Sequence, residues 1–598
     1  MNKENNRPLI VANCSGFYGD KLSAAKELVD GGPIDVLTGD YLAELTMAIL
    51  FRQKMKDPNK GYVGTFLKQI KEVLSDCLDK QIKIVCNAGG LNPKAMAEAI
   101  REIANQEGLN PSIAYIDGDD LMPRLQPLQK EGETFSHLDK GTPFRQVTGM
   151  PVTANAYLGC WGIKEALTKG ADIVICPRVT DAALVMGPAA WKFGWNRDDY
   201  DPLAGALAAG HIIECGTQAT GGNYSFFQEV PSFRDVGFPI AEIYPDGSSV
   251  ITKHPGTGGL VSVGTVTAQL MYEVSTPEYL SPDVIGHFDT LKVSQESEDR
   301  VLVQGCLGSS PPPQHKVCLN YMSGHRNGMT ILITGLDIEE KAEILTDALF
   351  YSLGGREQFE EVAIQLVRTD KPNPPTNEEA FALLRINVKA KDNKTAGRLF
   401  SAKVIELALS TIPGFGGLSL PDAGMPLLIH WPCLINSNHI VENVWIEQSS
   451  GETEEFTILP TNQLDLSPLT AEIKQPLKRS PPQAPLIEIP FGRIYGTRSG
   501  DKGGNANLGI WGKSEESYDF LENYLSVEKL KELLPETADL EIDRYLFPNL
   551  FAVNYYIKGL LGEGVSSSFR MDPQAKTLGE YIRAKVIQVP ESILPQQN

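Results

Sequence analysis

A chain of 598 residues is too long for one hydrophobic core, and with 42% apolar and 22% charged residues it reads as roughly two to four globular domains. Lysine plus arginine number 54 and aspartate plus glutamate 75, so the net charge of −21 excludes broad contact with nucleic acid or an anionic membrane, both of which need a basic footprint. Nine scattered cysteines without a CxxC pair, no signal-peptide pattern and no apolar run of membrane-spanning length point to a reduced, cytoplasmic protein.

In chain order, PLIVAN, IDVLTG, IKIVCN, SIAYID and DIVICP each predict a short strand apolar on both faces, with helices such as KAMAEAIREIANQ and NAYLGCWGIKEALTKG between them. That alternation predicts an α/β domain over 1–234 built on a mainly parallel sheet covered on both sides. Each strand runs into a polar cluster, namely CSGFYGD, GDYLAE, NAGGLNP, DGDD and PRVTDAA. Parallel strands present their carboxyl ends on one rim, where ligands of open α/β sheets bind. Asp40, Asn87, Asp117, Arg178 and Glu214 are therefore expected to converge on one strand-end cavity.

Residues 235–447 change character and predict an α+β domain. GSSVITK, LVSVGTVTAQLMYEV, HFDTLKVSQ, RVLVQGC, GMTILITGL, VAIQLVR and AFALLRINVKA read as strands, interleaved with helices at EEKAEILTDALFYSL and TAGRLFSAKVIELALSTI. The polar, then proline-rich stretch 448–486 reads as a linker. Residues 487–598, with helices at SYDFLENYL and VEKLKELL, a strand at LFAVNYYIKGLL and a last helix at TLGEYIRAKVIQ, suit a small ferredoxin-like α/β domain.

Four clusters carry candidate chemistry. HPGTGG, with His254, Gly256 and Thr257 after Lys253, is either a backbone cradle for an anion or a turn between strands. ECGTQATGGN supplies Glu214 as acid or base, with Gln218 and Asn223 near it; Cys215 has no readable base beside it and makes a weak nucleophile. In PRVTDAA, Arg178 and Asp181 either grip an anion or pair, and Asp181 equally suits a helix cap. IDGDDL, with Asp117, Asp119 and Asp120, resembles a divalent-ion turn but lacks metal-ligand spacing, so no metal is expected to be required.

Together with GFYGD, DYLAE, NAGGLNP and the late stretch RSGDKGGNAN, these motifs stand in an order that resembles the acyclic terpene utilisation (AtuA-like) family, over about 8–445 and again over about 488–590 with its appended carboxy-terminal domain. The resemblance implies a place in the breakdown of branched acyclic terpenoids through acyl-CoA thioesters and leaves the step open; the clusters read first as an enzyme of lyase or hydratase type acting on an acyl-CoA. Glu214, His254 and Asp181 would be its catalytic groups, with Lys253 and Arg178 neutralising an enolate or carboxylate. No redox cofactor is expected, coenzyme A entering only as part of the substrate. Arg498 and Lys502 would take its phosphates, Asn505 and Asn507 its amides, and Arg498 with Asp501 would otherwise simply pair within a turn. Thr497–Asn507 is expected to face HPGTGG or ECGTQATGGN. The alternatives are a non-catalytic partner or scaffold of the same pathway and a metal-assisted hydrolase. The expected ligand is a small molecule, with neither nucleic acid nor membrane, and a homo-oligomer is compatible with the sequence.

Overall fold

The computed structural model describes residues 7–460 and 485–594. The five strands read from the sequence form the centre of the largest sheet: β1 (Leu9–Asn13), β2 (Val36–Gly39), β3 (Lys83–Cys86), β4 (Ile113–Asp117) and, after β5 (Met150–Ala156), β6 (Ile173–Ile175). They pair in parallel in the order β1-β2-β3-β6-β4. Two apolar cores flank them, one holding Val11, Val36, Val85 and Val174, the other Ala12, Leu37, Ile84 and Ile175. This is the period-2 alternation of strands buried on both faces.

The parallel centre is extended antiparallel at both edges. β7 (Pro239–Ile243) and β8 (Ser249–Lys253) pair beside β1, followed by Arg300–Gln304 and Lys292–Ser297. Glu442–Glu447 and Thr453–Ile458 pair beside β4. The large sheet is thus mixed, and it crosses the expected boundary at 234/235. The expected linker 448–486 contributes a strand, Thr453–Ile458, and its part 461–484 lies outside the described residues. Short strands with polar outer faces carry no sequence mark of which sheet they join, and here ladder bonds to exposed edges decided it.

The middle region is organised by one 21-residue strand, Gln314–Thr334. One half of it pairs with β5 and Met425–Asn436, the other with Phe381–Ala390 and Phe415–Gly417. One sequence expectation is overturned here: LVSVGTVTAQLMYEV holds the helix Val263–Leu270 instead of a strand. Ser262 and Thr265 cap each other's backbone N–H at its start, a reciprocal cap that outweighs the β-branched composition.

The carboxy-terminal unit is a four-stranded antiparallel sheet in the order Gly496–Lys502, Asn505–Trp511, Ala552–Ile557, Ile542–Phe547. The expected last helix stops at Arg583, and Val586–Pro590 instead pairs with Leu486–Pro490, its alternating residues suiting a strand better than a helix. Among the described residues no helix is long and apolar enough to cross a membrane.

Candidate active site

β2, β3 and β6 are neighbours, so the residues just past their carboxyl ends meet on one rim. Asn87 Nδ2 donates to Asp40 Oδ1 at 2.5 Å, and Asn87 Oδ1 accepts the Tyr41 N–H at 2.8 Å. Arg178 Nη1 donates to Leu42 O at 2.9 Å and to Asp181 Oδ1 at 3.2 Å, so the expected Arg–Asp pair forms at the rim. Glu214 enters from the end of the helix Tyr200–Ile213. Its backbone is tied to β1 through Asn13 Nδ2, which donates to the carbonyls of Ile213 and Glu214 at 2.7 and 3.0 Å. Asn13 was not singled out in the sequence, although VAN at the end of β1 repeats the pattern of VCN at the end of β3.

Asp40, Arg178 and Glu214 are all buried. Burial raises the Asp40 carboxyl well above its ordinary range, and the charges of Asp181 and Glu214 push it further. Burial raises Glu214 likewise, followed by Asp181 and Glu273. Both carboxyls are thereby shifted toward their protonated form, the direction required of a general acid. Glu214 Oε1 meets His211 Nδ1 at 3.1 Å, while Glu214 Oε2 and His211 Nε2 are buried without a protein partner. Burial pushes His211 down to about 4, so its imidazole is neutral.

A second group continues the wall and comes from elements that sequence reasoning passed over. Tyr157 Oη donates to Glu44 Oε1 at 2.9 Å, and Lys316 Nζ donates to the same oxygen at 3.0 Å. The Arg178 guanidinium lies 4.1 Å and the Lys316 ammonium 4.8 Å from the Tyr157 ring centre. Burial alone would raise Glu44, but Lys316, His430 and Arg178 together hold it well below the usual carboxylate range. The site thus sets two carboxyls shifted upward, Asp40 and Glu214, beside one held low, Glu44. Glu44 lies in the DYLAE motif, but Lys316 and His430 sit on long antiparallel strands whose alternation carries no functional signal.

The stretch TRSGDKGGNAN closes this rim as a hairpin. Gly503, in the left-handed region at φ 63°, and Gly504 turn the chain between the strands Gly496–Lys502 and Asn505–Trp511. Gly500 and Gly509 let the hairpin lie flush on the body, since a Cβ at either would come within 2.6 Å of Tyr272 or Met271. Docking is polar. The Thr497 N–H donates to Ser225 Oγ at 2.9 Å, Ser225 Oγ donates back to Thr497 O at 2.7 Å, and Asn507 Nδ2 donates to Met271 O at 2.9 Å. Arg498 donates to Gln218, and its guanidinium lies 4.4 Å from the Tyr272 ring centre. Asn505 Nδ2 donates to Asp139 Oδ1 at 2.7 Å. Lys576 Nζ lies 3.6 Å from Asp501 and 3.2 Å from Glu273. Lys502 acts electrostatically on Glu214, Glu273 and His211.

Several candidates named from the sequence take other places, and the expectations for them are corrected here. The hairpin does face the Glu214–Asn223 segment, one of the two loops expected for it, but Arg498 serves as a clasp to Gln218 instead of standing free for a phosphate. Asp501 meets Lys576 and not Arg498. His254 Nε2 faces Leu28 O at 2.9 Å, and Lys253 pairs with Asp299 at 2.8 Å; no described contact brings either to the carboxyl cluster. Thr257 bonds His254 O, Gly256 is exposed, and the loop braces the Glu214 segment from behind through Leu260 N–H to Thr220 O at 2.8 Å. Asn223 is an exposed turn residue with φ 56°. Asp117 accepts from Asn443 and Trp445, each at 2.9 Å, because the strand Glu442–Glu447 covers the end of β4. Asp119 accepts from Asn155 at 2.7 Å and Asp120 from the Met122 N–H at 2.9 Å, so the three aspartates diverge to separate partners. Burial keeps the Cys215 thiol well above its ordinary range, and the Glu214 charge adds to this.

Arg498→Ala is expected to weaken docking of the hairpin by about 1.5–3 kcal/mol, the usual worth of a buried hydrogen bond to a charged group. Hydrogen exchange of Thr497–Asn507 measures it directly. Unchanged protection there would show that Gln218 holds nothing.

The family described as acyclic terpene utilisation family protein AtuA matches residues 9–446, and the AtuA ferredoxin-like domain matches residues 489–588. No curated protein and no solved structure matches the chain.

Proposed function

The chain belongs to the acyclic terpene utilisation family AtuA, with its ferredoxin-like domain appended, and from that membership and the rim geometry we propose that it is an acid–base enzyme acting on an acyl-CoA, of lyase or hydratase type. The observation that carries this reading is the buried Glu214 carboxyl, set on His211 Nδ1 at 3.1 Å with its second oxygen unpaired and shifted upward by burial, at the rim that also carries the Arg178–Asp181 pair. Addition or loss of water, and carbon–carbon cleavage next to a thioester, both need a proton delivered or removed at a carbon or hydroxyl. Both also need positive charge near the oxygen that becomes an enolate.

In this reading Glu214 delivers the proton, His211 orients its carboxyl through Oε1, and Arg178 faces the developing negative charge. Asp181 holds the guanidinium in place, taking the positioning role in preference to an acid–base one. Coenzyme A is part of the substrate, and the ligand is a small molecule. A scaffold of the same pathway would have no use for these groups, since burying charge costs several kcal/mol per ion unless it is fully compensated.

The test is incubation of the full-length protein with branched 2,3-unsaturated and 3-hydroxy acyl-CoA esters, followed by mass spectrometry of the esters. Consumption of at least one ester class by the wild type, lost in Glu214→Gln, is expected. Neither binding nor consumption of any ester would remove the acyl-CoA reading.

A further inference from the structure

Resting on the reading of Glu214 as the acid of the site, we propose that Asp40 is its proton-accepting partner and that Asn87 is the residue that positions Asp40 for this. Loss or addition of water beside a thioester needs a proton donor and a proton acceptor in the same turnover, and one carboxyl supplies only one of them.

The amide of Asn87 has one possible orientation. Its Oδ1 accepts the Tyr41 N–H at 2.8 Å, and a backbone N–H can only donate, so Nδ2 is the atom turned to Asp40 Oδ1, at 2.5 Å. The Leu42 N–H reaches the same oxygen at 3.4 Å. Asp40 Oδ2 is left without a partner among the described residues, and is therefore the oxygen available to a ligand. Asn87 is fully buried and Asp40 nearly so, which keeps the pair from turning out into solvent.

Backbone contacts set Asp40 between the acid and the cation of the rim. The Asp40 N–H donates to Ser15 O at 3.0 Å, and the next residue, Gly16, lies so close to Cys215 that a Cβ on it would come within 2.5 Å of the Cys215 carbonyl carbon. Cys215 directly follows Glu214. On the other side, Leu42 turns its N–H to Asp40 and its carbonyl to Arg178 Nη1, at 2.9 Å.

The two carboxyls differ in their partners. Both N–H groups on Asp40 can only donate, which favours its ionised form. Glu214 has no partner restricted in this way: Oε1 meets Nδ1 of the neutral His211 ring at 3.1 Å, a nitrogen able to accept, and Oε2 is unpaired. Burial raises both groups; around Asp40, the charges of Asp181 and Glu214 add to this, and the Asn87 amide and Arg178 oppose it. Of two raised carboxyls, the one holding the donors ionises first. In loss of water from a 3-hydroxy ester, the C–H bond beside the thioester breaks toward the Asp40 carboxylate and its electron pair forms the new double bond. The hydroxyl leaves as water with the Glu214 proton. Asp40 ends protonated and Glu214 ionised, and addition of water returns both protons.

Infrared titration of the full-length protein carrying carboxyl-labelled aspartate and glutamate orders the two groups without any substrate. Asp40→Asn and Glu214→Gln assign the bands. Asp40 is expected to ionise at the lower pH in wild type, and its midpoint to rise by about one pH unit or more in Asn87→Leu, a change of similar size that removes the donor. Glu214 ionising first in wild type overturns the proposal, and so does an unchanged Asp40 midpoint in an Asn87→Leu protein that a thermal melt shows to be folded. The wild-type order decides even where that variant does not fold. Mass spectrometry of 3-hydroxy acyl-CoA esters in deuterium oxide reads the transfer itself, as exchange of the hydrogen beside the thioester. Exchange is expected to persist in Glu214→Gln and to be lost in Asp40→Asn, and exchange surviving in Asp40→Asn overturns Asp40 as the acceptor. The expected order of ionisation in a protein that neither binds nor consumes an acyl-CoA upholds the carboxyl pair and removes only the acyl-CoA reading, so the two failures are distinct.

Discussion

Glu214→Gln is expected to lower turnover by about 10²–10⁴-fold, the range contributed by a positioned acid or base, while leaving the fold intact. The amide has nearly the shape of the protonated acid that burial favours. Asn13 holds the backbone and not the side chain, so that anchor survives the substitution. The variant is also expected to gain stability over wild type as pH rises. A carboxyl whose folded pKa is raised takes up a proton on folding, and the stability this confers is lost as pH rises through the folded value. The amide has no such loss. Turnover of whichever ester the wild type consumes, with melting temperatures on the alkaline side, checks both halves. Activity within a few-fold of wild type would make Glu214 a structural residue.

Melting temperature is expected to be highest near about pH 5 and to fall steadily toward about pH 9, because the buried carboxyls of this chain are shifted upward. Glu442 is pushed up to about 8 by burial and by the charge of Asp283, against the Gly162 and Gly159 N–H groups that favour its ionised form. Asp119 is pushed up to about 7 by burial and by Asp120, and Asp283 to about 6 by burial. All three are at most 7% exposed. Each contributes stability that is complete below the ordinary carboxylate range and disappears as pH rises through 6 to 8. Glu44 has the opposite sign, being held low, so its contribution is lost only in stronger acid. A pKa that folding moves by one pH unit is worth about 1.4 kcal/mol, so Glu442 alone accounts for several kcal/mol between the two limits. Glu442→Gln keeps an oxygen for the Gly162 N–H, seen at 3.1 Å, and is expected to flatten the profile and raise stability at the alkaline end. A profile in Glu442→Gln that is parallel to wild type would show that this carboxyl is ionised throughout.

The parallel strands, the rim they share and the candidates Asp40, Asn87, Arg178 and Glu214 were legible in the sequence. Runs such as IKIVCN are apolar on both faces, and only a doubly covered sheet accepts them, so strand direction and the side on which their ends lie followed from pattern alone. Family membership was equally legible, because it rests on motif order. The helix Val263–Leu270 was not, since its β-branched composition favours a strand and only the cap at Ser262 opposes it. His254 was misplaced because a histidine beside glycines looks the same whether it faces a ligand or, as here, Leu28 O.

What the tertiary structure alone decided is the other half of the site. Lys316 and His430 reach Glu44 through pairing of Gln314–Thr334 with Met425–Asn436, and Arg498 reaches Gln218 through a hairpin that docks 280 residues away in sequence. A sequence states which groups a segment carries, and its local periodicity states which face they share. Long-range approach depends on edge pairing and interface hydrogen bonds that many alternative partners could satisfy equally well at the level of composition. The charge of TRSGDKGGNAN was therefore readable as charge, but the partners it takes within the fold, Gln218 for Arg498 and Lys576 for Asp501, were set only by how the hairpin docks.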